Sequence, residues 1–418
     1  MASGSSDLNE AAWRKDLAVY REQMPLRHGN LFHTLNRARF YSSIDNLEHA
    51  LPRLTTNQAK VEFLRLVAMI NDGHTRARPE TLGNHMLPVR VRFFADGLYV
   101  EAAASEFASL VGGRVRRIGA LSEDEAYARV RPLIAVDSDN EYRRRLLAAD
   151  LLITPEVLAG LGVSADAGTV TLTVERDGHE QVARLPAVPF RIWSNHGWPV
   201  IPPGWVDARR SATAPAPLWL RSTHRNYWHE FLPDGRTLYV QYNNVEDQSG
   251  GETIAHYFPR VFMEAAARRV SRLVIDLRLN GGGNNELNRP IWHALLRSPQ
   301  FNQKGRLWVL IGPQTFSAAM NFVDELELNT NVLFAGEPTG ETPNMWGDPA
   351  GVTLPNSGIV VQASTLWWQF ADPRDHRPFR APDLLVPLTF ADYSRNIDPV
   401  LEAILKRPVP VRQAPSAP

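Results

Sequence analysis

The chain has 418 residues, of which 44% are hydrophobic and 22% are charged, a composition typical of a globular protein. One hydrophobic core does not grow to this length, so we expect about two or three domains. Lysine plus arginine and aspartate plus glutamate each total 45, so no net charge attracts nucleic acid or an anionic membrane. Cysteine is absent, which excludes a thiol nucleophile, a disulfide framework and cysteine-ligated metal sites.

The first residues carry no recognisable targeting signal. They lack the apolar segment of a signal peptide. No apolar run in the chain approaches the roughly 20 residues that cross a bilayer, so we expect no membrane span. Two localisations stay open: the cytoplasm, or the periplasm or exterior after removal of an export signal, and we favour export.

Residues 1–80 are predicted to form a helical N-terminal region. Apolar residues recur at three- and four-residue spacing, which predicts helices over Leu8–Gln23, Arg37–Leu51 and Thr56–Ile70. Gly73 is a suitable stop for the last of these helices. His74 is therefore expected on the loop just beyond it.

Residues 84–190 have a different pattern. Short runs of β-forming residues occur at Leu87–Phe94, Gly97–Ala102, Gly113–Ile118 and Thr169–Arg176, with helical stretches at Ser122–Ala135 and Asn140–Leu152. A strand, a glycine-rich turn, a strand and then a helix suit a small peptide-binding barrel of the PDZ type. We predict a PDZ-like domain here, followed by a linker over residues 191–235, since Ala187–Pro217 is rich in Pro, Gly and Trp.

Residues 236–405 are predicted to form an α/β domain. Strands are expected at Thr237–Tyr242, Arg272–Leu277, Arg306–Ile311, Asn331–Ala335 and Ile359–Thr365, and helices at Ile254–Arg269, Glu286–Leu296 and Ser317–Leu328. Strands that alternate with helices of this length favour a largely parallel sheet covered by helices. Residues 406–418 are predicted to be a disordered tail, since Arg407–Pro418 contains four prolines.

The segment from Val274 to Asn284 runs from an apolar strand directly into Gly281, Gly282 and Gly283. Glycines let the backbone present free N–H groups to an anion, but the same run also suits a tight turn without a role. No Gly-Lys-Ser/Thr follows, which excludes a Walker-type phosphate loop.

Ser317 is predicted to open a helix after a strand and a turn. Serine is a common N-cap, which alone would explain it there. A serine at a helix start is also well placed for nucleophilic attack, because the N–H of Ala318 and the helix dipole face a developing anion. The turn is not Gly-x-Ser-x-Gly, so it is not the elbow of an α/β-hydrolase.

A nucleophilic serine needs a base. The chain has four lysines, Lys15, Lys60, Lys304 and Lys406, and none is placed to serve Ser317, which leaves twelve histidines. His74 follows a predicted helix in Asp-Gly-His-Thr, but from this position alone a surface loop histidine is the favoured interpretation. His224 and His229 could suggest a metal pair, yet no third ligand follows at a recognisable spacing, so we expect no metal site.

Six motifs together identify a family resemblance. They are Asn71–Thr75, Tyr239–Asn243, Asp276–Gly283, Thr315–Ala319, Gly336–Gly340 and Ala381–Asp383. In this order, over about residues 10 to 405, the chain resembles the serine peptidases that include the tail-specific (C-terminal-processing) proteases, the tricorn core protease and the retinoid-carrying interphotoreceptor protein.

The resemblance implies a crotonase-like α/β core that carries Ser317, preceded by a helical region and a PDZ-like insert. Some members of the family use Ser–Lys and others use Ser–His with a carboxylate. About 25 residues after Ser317 stands Thr342 rather than lysine, which places the chain with the second group.

The resemblance also implies the roles of the site residues. Ser317 would be the nucleophile of peptide hydrolysis and His74 its base. Asp375 would be the third member of the triad, with Asp372 as the alternative. The N–H groups of Gly282 or Gly283 and of Ala318 would form the oxyanion hole. The expected partner is a peptide or an unfolded protein, no cofactor is expected, and a homo-oligomer stays open.

Two rival functions remain. The first is a catalytically silent peptide- or lipid-binding protein of the same fold, for which the eleven Trp residues and the run Leu366–Phe370 could line a groove. The second is a crotonase-type acyl-CoA enzyme with a carboxylate near the glycine loop. Glu286 is the only candidate near that loop, which makes this a weak alternative.

Overall fold

The computed structural model describes residues 8–78, 81, 83, 85–190 and 199–410. The chain divides into two compact units, one made of Met1–Ser211 with Met345–Trp368 and the other of Ala212–Asn344 with Gln369–Pro418. Both units mix helices with β-sheet. None of the helices within the described residues has the length and apolar character needed to cross a membrane.

The α-helices of the described residues are α1 (Glu10–Arg27), α2 (Arg37–Ala50), α3 (Thr56–Ala68), α4 (Glu123–Val130), α5 (Glu141–Leu151), α6 (Pro155–Gly160), α7 (Ile254–Ala267), α8 (Arg289–Leu296), α9 (Ala318–Asn329), α10 (Phe390–Ser394) and α11 (Pro399–Leu405). Short 3₁₀ turns occupy Leu51–Arg53, Ser105–Leu110, Arg131–Leu133, Leu218–Leu220 and Asn285–Asn288. The predicted helices of the N-terminal region are confirmed to within a few residues at each end.

The strands are β1 (His85–Met86), β2 (Val89–Phe94), β3 (Gly97–Ala104), β4 (Arg114–Ile118), β5 (Leu121–Ser122), β6 (Thr169–Arg176), β7 (His179–Pro186), β8 (Val188–Pro189), β9 (Trp205–Asp207), β10 (Tyr227–Phe231), β11 (Thr237–Tyr242), β12 (Arg272–Asp276), β13 (Leu307–Ile311), β14 (Leu333–Gly336), β15 (Asn344–Thr353), β16 (Val360–Gln369) and β17 (Leu384–Leu385). The four strand runs predicted for the middle of the chain correspond to β2, β3, β4 and β6.

The first unit contains an antiparallel sheet in the order β2-β3-β4-β6-β7, with β5 beside β4 and β9 beside β3. Strands β2, β3 and β6 are largely buried, whereas β7 is mostly exposed, and Val170, Leu172 and Val174 of β6 are in the core. These residues belong to the same hydrophobic core as α1, α2 and α3. The N-terminal helices and the middle strands therefore share one core.

The second unit contains a six-stranded sheet in the order β10-β11-β12-β13-β14-β17. Only the edge strand β10 pairs antiparallel, and the other pairs are parallel. Strands β11, β12 and β13 are buried along their whole length, as expected for parallel strands covered on both faces. Because parallel strands end at the same edge, the loops after β12, β13 and β14 lie side by side.

Three features differ from the sequence predictions. The predicted strand Ile359–Thr365 exists as β16, but it pairs with β15 in the first unit rather than joining the parallel sheet. Strand β10 lies within the predicted linker, of which residues 191–198 lie outside the described residues. The helix before His74 ends at Ala68, and the residue with a positive φ is Asn71 (φ 59°) rather than Gly73.

The start of the predicted tail is bound to the second unit. Arg272 donates to the carbonyl of Arg407, and Arg306 donates to the carbonyl of Pro410. Both arginines are buried, and these carbonyls satisfy part of their donor groups. Residues 411–418 of the predicted tail lie outside the described residues.

Candidate active site

Ser317 has a strained backbone at the start of α9. Its φ is 56° and its ψ is −130°, a region that side chains other than glycine rarely adopt and that costs of order 1–3 kcal/mol. An ordinary N-cap serine is extended and caps the helix with its hydroxyl. The Ser317 hydroxyl makes no capping hydrogen bond to any described residue. The side chain is therefore not used to stabilise the helix.

The glycine loop after β12 packs directly against Ser317. Gly282 has φ 109°, and a Cβ there would lie 2.6 Å from the Ser317 Cβ and 3.0 Å from the Ala318 nitrogen. Gly283 has φ 141°, and a Cβ there would lie 2.3 Å from the carbonyl oxygen of Val245. Both positions require glycine because of the backbone angle and because of the close approach.

The backbone donors of this loop differ in what they already bind. The N–H of Gly282 donates to the side-chain oxygen of Asn280 at 2.9 Å. Asn280 in turn donates through its amide nitrogen to the carbonyl of Tyr242 at 3.0 Å. Within the described part of the chain, no backbone hydrogen bond uses the N–H of Gly283 or of Ala318. Of the candidate oxyanion donors, Gly283 and Ala318 are thus the two that remain available.

A buried ion network anchors the base of the glycine loop. Arg278 donates to Asp276 at 2.6 Å and to Asp398 at 2.7 Å, and Tyr239 donates to Asp276 at 2.7 Å. Burial acts to lower the pKa of Arg278, but the two carboxylates outweigh it and hold that pKa well above its usual value. The end of β12, from which the loop departs, is therefore held by charge-assisted hydrogen bonds.

His74 belongs to the first unit, on a loop organised by Asp72. One oxygen of Asp72 accepts the N–H of His74 at 2.9 Å, and the other accepts the Thr75 hydroxyl at 2.6 Å. The second oxygen also lies 2.9 Å from Nε2 of His28. Because Nδ1 of His28 accepts the N–H of Asn30, Nε2 carries the proton and donates to Asp72. These contacts fix the backbone that carries His74.

Asp72 is held as a carboxylate in spite of its burial. Burial alone would raise its pKa, but the hydrogen bonds from His28, Thr75 and Ser364 outweigh burial and lower that pKa. The loop therefore carries a negative charge next to the backbone of His74, which is itself only 8% exposed.

The hairpin of β15 and β16 places aromatic rings near His74 within the first unit. A Cβ added to Gly347 would lie 4.0 Å from Cε1 of His74 and 2.9 Å from Cδ1 of Trp368. The ring of Trp346 lies 5.4 Å from that of His28 and 5.3 Å from that of Trp367. Trp367 is 47% exposed, so the aromatic run is not wholly a core element.

Asp375 and Asp372 are both bound by arginine in the second unit. Asp375 pairs with Arg377 at 2.6 Å, and Arg377 also pairs with Glu327 at 2.9 Å. Asp372 pairs with Arg374 at 2.7 Å. Hydrogen bonds from Arg377 and Arg374 respectively lower the pKa of each carboxyl. Each is therefore an ionised carboxylate with a basic partner.

Two buried acidic residues of the second unit have no motif that marks them in the sequence. Glu341, on the loop after β14, accepts the backbone N–H of Ser317 and is 0% exposed. Asp324, on α9, is also buried, and burial followed by the nearby Glu327 raises its pKa well above its usual value. The one signal in the sequence is that Glu341 directly precedes Thr342, the residue that stands where Ser–Lys peptidases have their lysine.

The structure brings Ser317, Gly282, Gly283 and Ala318 together in one unit. Asp372 and Asp375 belong to that unit as well, whereas His74 belongs to the other. The roles of His74 and of the two aspartates stay predictions. Among the described residues, no group of three His, Cys, Asp or Glu side chains could hold a metal ion.

Comparison with solved structures identifies the fold. A mutant of CPAF matches with a TM-score of 0.64 at 14% identity, covering 96% of this chain and 99% of that one. Mature CPAF complexed with lactacystin matches with a TM-score of 0.60 at 15% identity, covering 95% and 97%. The chain has the fold of CPAF. The likeness to CPAF spans nearly the full length of both chains, so it is not limited to a single shared motif.

Other comparisons add less. The photosystem II D1 C-terminal processing protease matches with a TM-score of 0.40 at 13% identity, covering 90% of this chain and 93% of that one, which is too low a score to carry an argument. No family model and no curated protein matches the sequence.

Proposed function

We propose that this protein is a serine peptidase that hydrolyses peptide bonds through an acyl-enzyme on Ser317. The observation that carries the proposal is the geometry of Ser317, a helix-opening serine at φ 56° whose hydroxyl does not cap its helix. Backbone strain of this kind persists where the surroundings enforce it and clusters at active sites. The fold of CPAF and the peptidase motifs of the sequence agree with this function.

The reaction would be acyl transfer. The Ser317 hydroxyl attacks the peptide carbonyl while His74 accepts its proton, and His74 then returns that proton to the leaving amine. Water attacks the acyl-enzyme with His74 again as the base. The N–H groups of Ala318 and Gly283 would hold the oxyanion, each contributing on the order of 3 kcal/mol to the transition state. The N–H of Gly282 would support this pair indirectly, because it holds the loop through Asn280.

The third member of the triad would be Asp375, with Asp372 as the alternative. Asp375 is the better candidate because it is the less exposed of the two, with 15% of its side chain accessible against 51% for Asp372. Its carboxylate is ionised beside Arg377, as a residue that stabilises an imidazolium must be. Because Asp375 already pairs with Arg377, its carboxylate would interact with two cations in the reaction, Arg377 and the imidazolium of His74.

We further propose that the parallel sheet of the second unit is a crotonase-like core and that β2 to β7 form a PDZ-like insert. The glycine loop after β12 and the serine after β13 are consistent with the first assignment. The antiparallel strands with α4 between β5 and β6 are consistent with the second.

Labelling by a fluorophosphonate, which reacts with activated serines, tests the function. The Ser317→Ala and His74→Ala variants should lose labelling and peptide turnover. Ser122→Ala is the matched control, because Ser122 also opens a helix but uses its hydroxyl to cap it. His49→Ala is the control for histidine, since His49 is exposed and its Nδ1 lies 2.6 Å from the carbonyl oxygen of Asp45 in its own helix.

Labelling and turnover that survive Ser317→Ala would disprove the proposal. A folded wild type that never labels would favour the rival function, a silent binding protein of this fold. In that case the exposed ring of Trp367 is the first place to look for a ligand, by the change in tryptophan fluorescence when peptides or lipids are added.

A further inference from the structure

The backbone N–H of Ser317 needs a partner that its own helix cannot supply. Elsewhere in the chain a capping box meets this need: the N–H of Thr55 donates to Gln58 and that of Ser122 donates to Glu125, each at 2.9 Å. The corresponding third residue of α9 is Met320, which has no acceptor of this kind. Glu341 takes that place from a different loop.

The loop that carries Glu341 is fixed to the turn that precedes Ser317. The N–H of Gly340 donates to the carbonyl of Thr315 at 2.9 Å, and the Thr339 hydroxyl donates to the carbonyl of Glu341 at 3.1 Å. Thr339 and Glu341 are both 0% exposed. The backbone that carries the Glu341 side chain is thus held next to the turn before Ser317.

The position of this acceptor explains how a non-glycine residue keeps a positive φ. In an ordinary N-cap the residue is extended and its hydroxyl caps the helix. Rotating Ser317 to that conformation would move its N–H away from Glu341. The hydrogen bond between this buried N–H and the buried carboxylate oxygen would be lost, which costs free energy. The Glu341 contact therefore opposes the one rearrangement that would use up the hydroxyl.

We infer that Glu341 is a positioning residue for the nucleophile: by accepting the Ser317 N–H it holds the backbone at positive φ and keeps the hydroxyl out of the helix cap. The inference rests on the proposed function, since it concerns the same serine. Its hydrogen bond is to the backbone N–H of Ser317, so the role inferred for it is exerted through that backbone.

Four variants test this role: Glu341→Ala, Glu341→Gln, Glu341→Asp and, as the matched control, Asp324→Asn. Asp324 is a second buried acidic residue of the same region, but no hydrogen bond joins it to Ser317 in the described chain. The measurements are the rate of fluorophosphonate labelling, kcat and KM for a peptide, and the thermal midpoint of each variant.

Glu341→Ala should slow labelling and lower kcat by about 100-fold, the effect of a displacement of about 1 Å at a reacting centre, with KM unchanged. Glu341→Gln keeps an oxygen at the same reach and should restore labelling to within a few-fold of the wild type. Glu341→Asp keeps the charge but is one methylene too short, so it should resemble the alanine variant. Asp324→Asn should label like the wild type.

Folded Glu341→Ala that labels at the wild-type rate would overturn the inference, and so would equal loss in the glutamine and alanine variants. If the alanine variant does not fold, the glutamine and aspartate variants decide, and equal rates in those two would overturn it. A wild type that does not label at all would overturn both this inference and the proposed function. Normal labelling of the wild type and of Glu341→Ala together would overturn this inference alone.

Discussion

At the scale of single residues, the site depends on close contacts that leave no room for substitution. Gly282 lies against Ser317 with a positive φ, while its neighbour Gly281 has open space around it. The three consecutive glycines therefore have different physical roles. A Cβ on the second would meet the serine, and a Cβ on the third would meet the carbonyl of Val245.

Gly282→Ala should abolish labelling, because its Cβ would meet the Ser317 Cβ at 2.6 Å and force one of the two backbones to move. The steric and backbone strain should also lower the free energy of unfolding by about 1–3 kcal/mol. Gly281→Ala is the control, since a Cβ at that position would have nothing within 4 Å of it. Chemical denaturation and labelling of both variants make the comparison, and equal behaviour of the two would contradict it.

Asp72 should stabilise the folded protein at pH values above about 4, the usual pKa of an aspartate carboxyl. Its pKa is lowered in the folded state, so the folded protein favours the ionised form and its contribution is lost as the pH falls through the folded pKa. Asp72→Asn should therefore lower the thermal midpoint at pH 7, and the difference from the wild type should shrink below pH 4. A difference that stays constant between pH 7 and pH 3 would count against this role.

Asp324 should have the opposite pH dependence. Its pKa is raised by burial first and then by Glu327, with a further contribution from Asp375 and Glu341 opposed by Arg377. The folded protein therefore favours the protonated form, and stability decreases as the pH rises from the unfolded pKa through the folded one. Asp324→Asn should remove this decrease. The thermal midpoint of the variant minus that of the wild type should therefore increase as the pH rises from 4 to 8. A gap that does not widen would contradict the assignment.

At the scale of elements, the parallel sheet sets where the chemistry lies. The glycine loop follows β12, Ser317 follows β13 and Glu341 follows β14. Because these strands are parallel neighbours, three loops distant in sequence end at one edge. The ion network of Arg278 holds the first of these loops at its base.

Arg278→Ala should destabilise the second unit strongly. It would leave Asp276 and Asp398 buried without their cation, a change that costs about 3–5 kcal/mol. Arg374→Ala is the matched control, because its ion pair with Asp372 is exposed and should leave the denaturation midpoint unchanged. Urea denaturation distinguishes the two, and similar midpoints for both variants would contradict the importance of the network.

Local patterns predicted the elements well and non-local contacts poorly. Helices α1 to α3 and strands β11 to β13 follow from apolar periodicity and from buried runs, which depend on neighbouring residues only. The pairing of β16 with β15 could not be predicted, because an isolated apolar run does not specify its partner strand. Strand β10 was missed because the Trp- and Arg-rich segment around it lacks the usual alternation.

The candidate site was predictable to the same extent. Ser317 and the glycine loop stand out as local motifs, and the family resemblance assigns their roles as nucleophile and oxyanion hole. The contact of Glu341 with Ser317 joins residues 24 positions apart through a loop that no local rule constrains. The conformation of Ser317 was equally hidden, since a serine at a helix start is normally extended.

At the scale of the whole molecule, the first unit is a single packed body. The helices α1 to α3 and the sheet that contains β2 and β6 share one hydrophobic core, so removing Leu87–Pro189 would expose that core rather than release a separate domain. Peptide binding by the middle strands is better tested by surface substitutions than by deletion. The predicted domain boundaries at residues 80, 190 and 235 stay predictions.

The most direct test of the account is the identity of the labelled residue. After reaction of the wild type with a fluorophosphonate, digestion and mass spectrometry of the peptides should find one adduct, on Ser317, and the adduct should be absent from the His74→Ala variant. An adduct on any other serine, or labelling that does not depend on His74, would contradict the account.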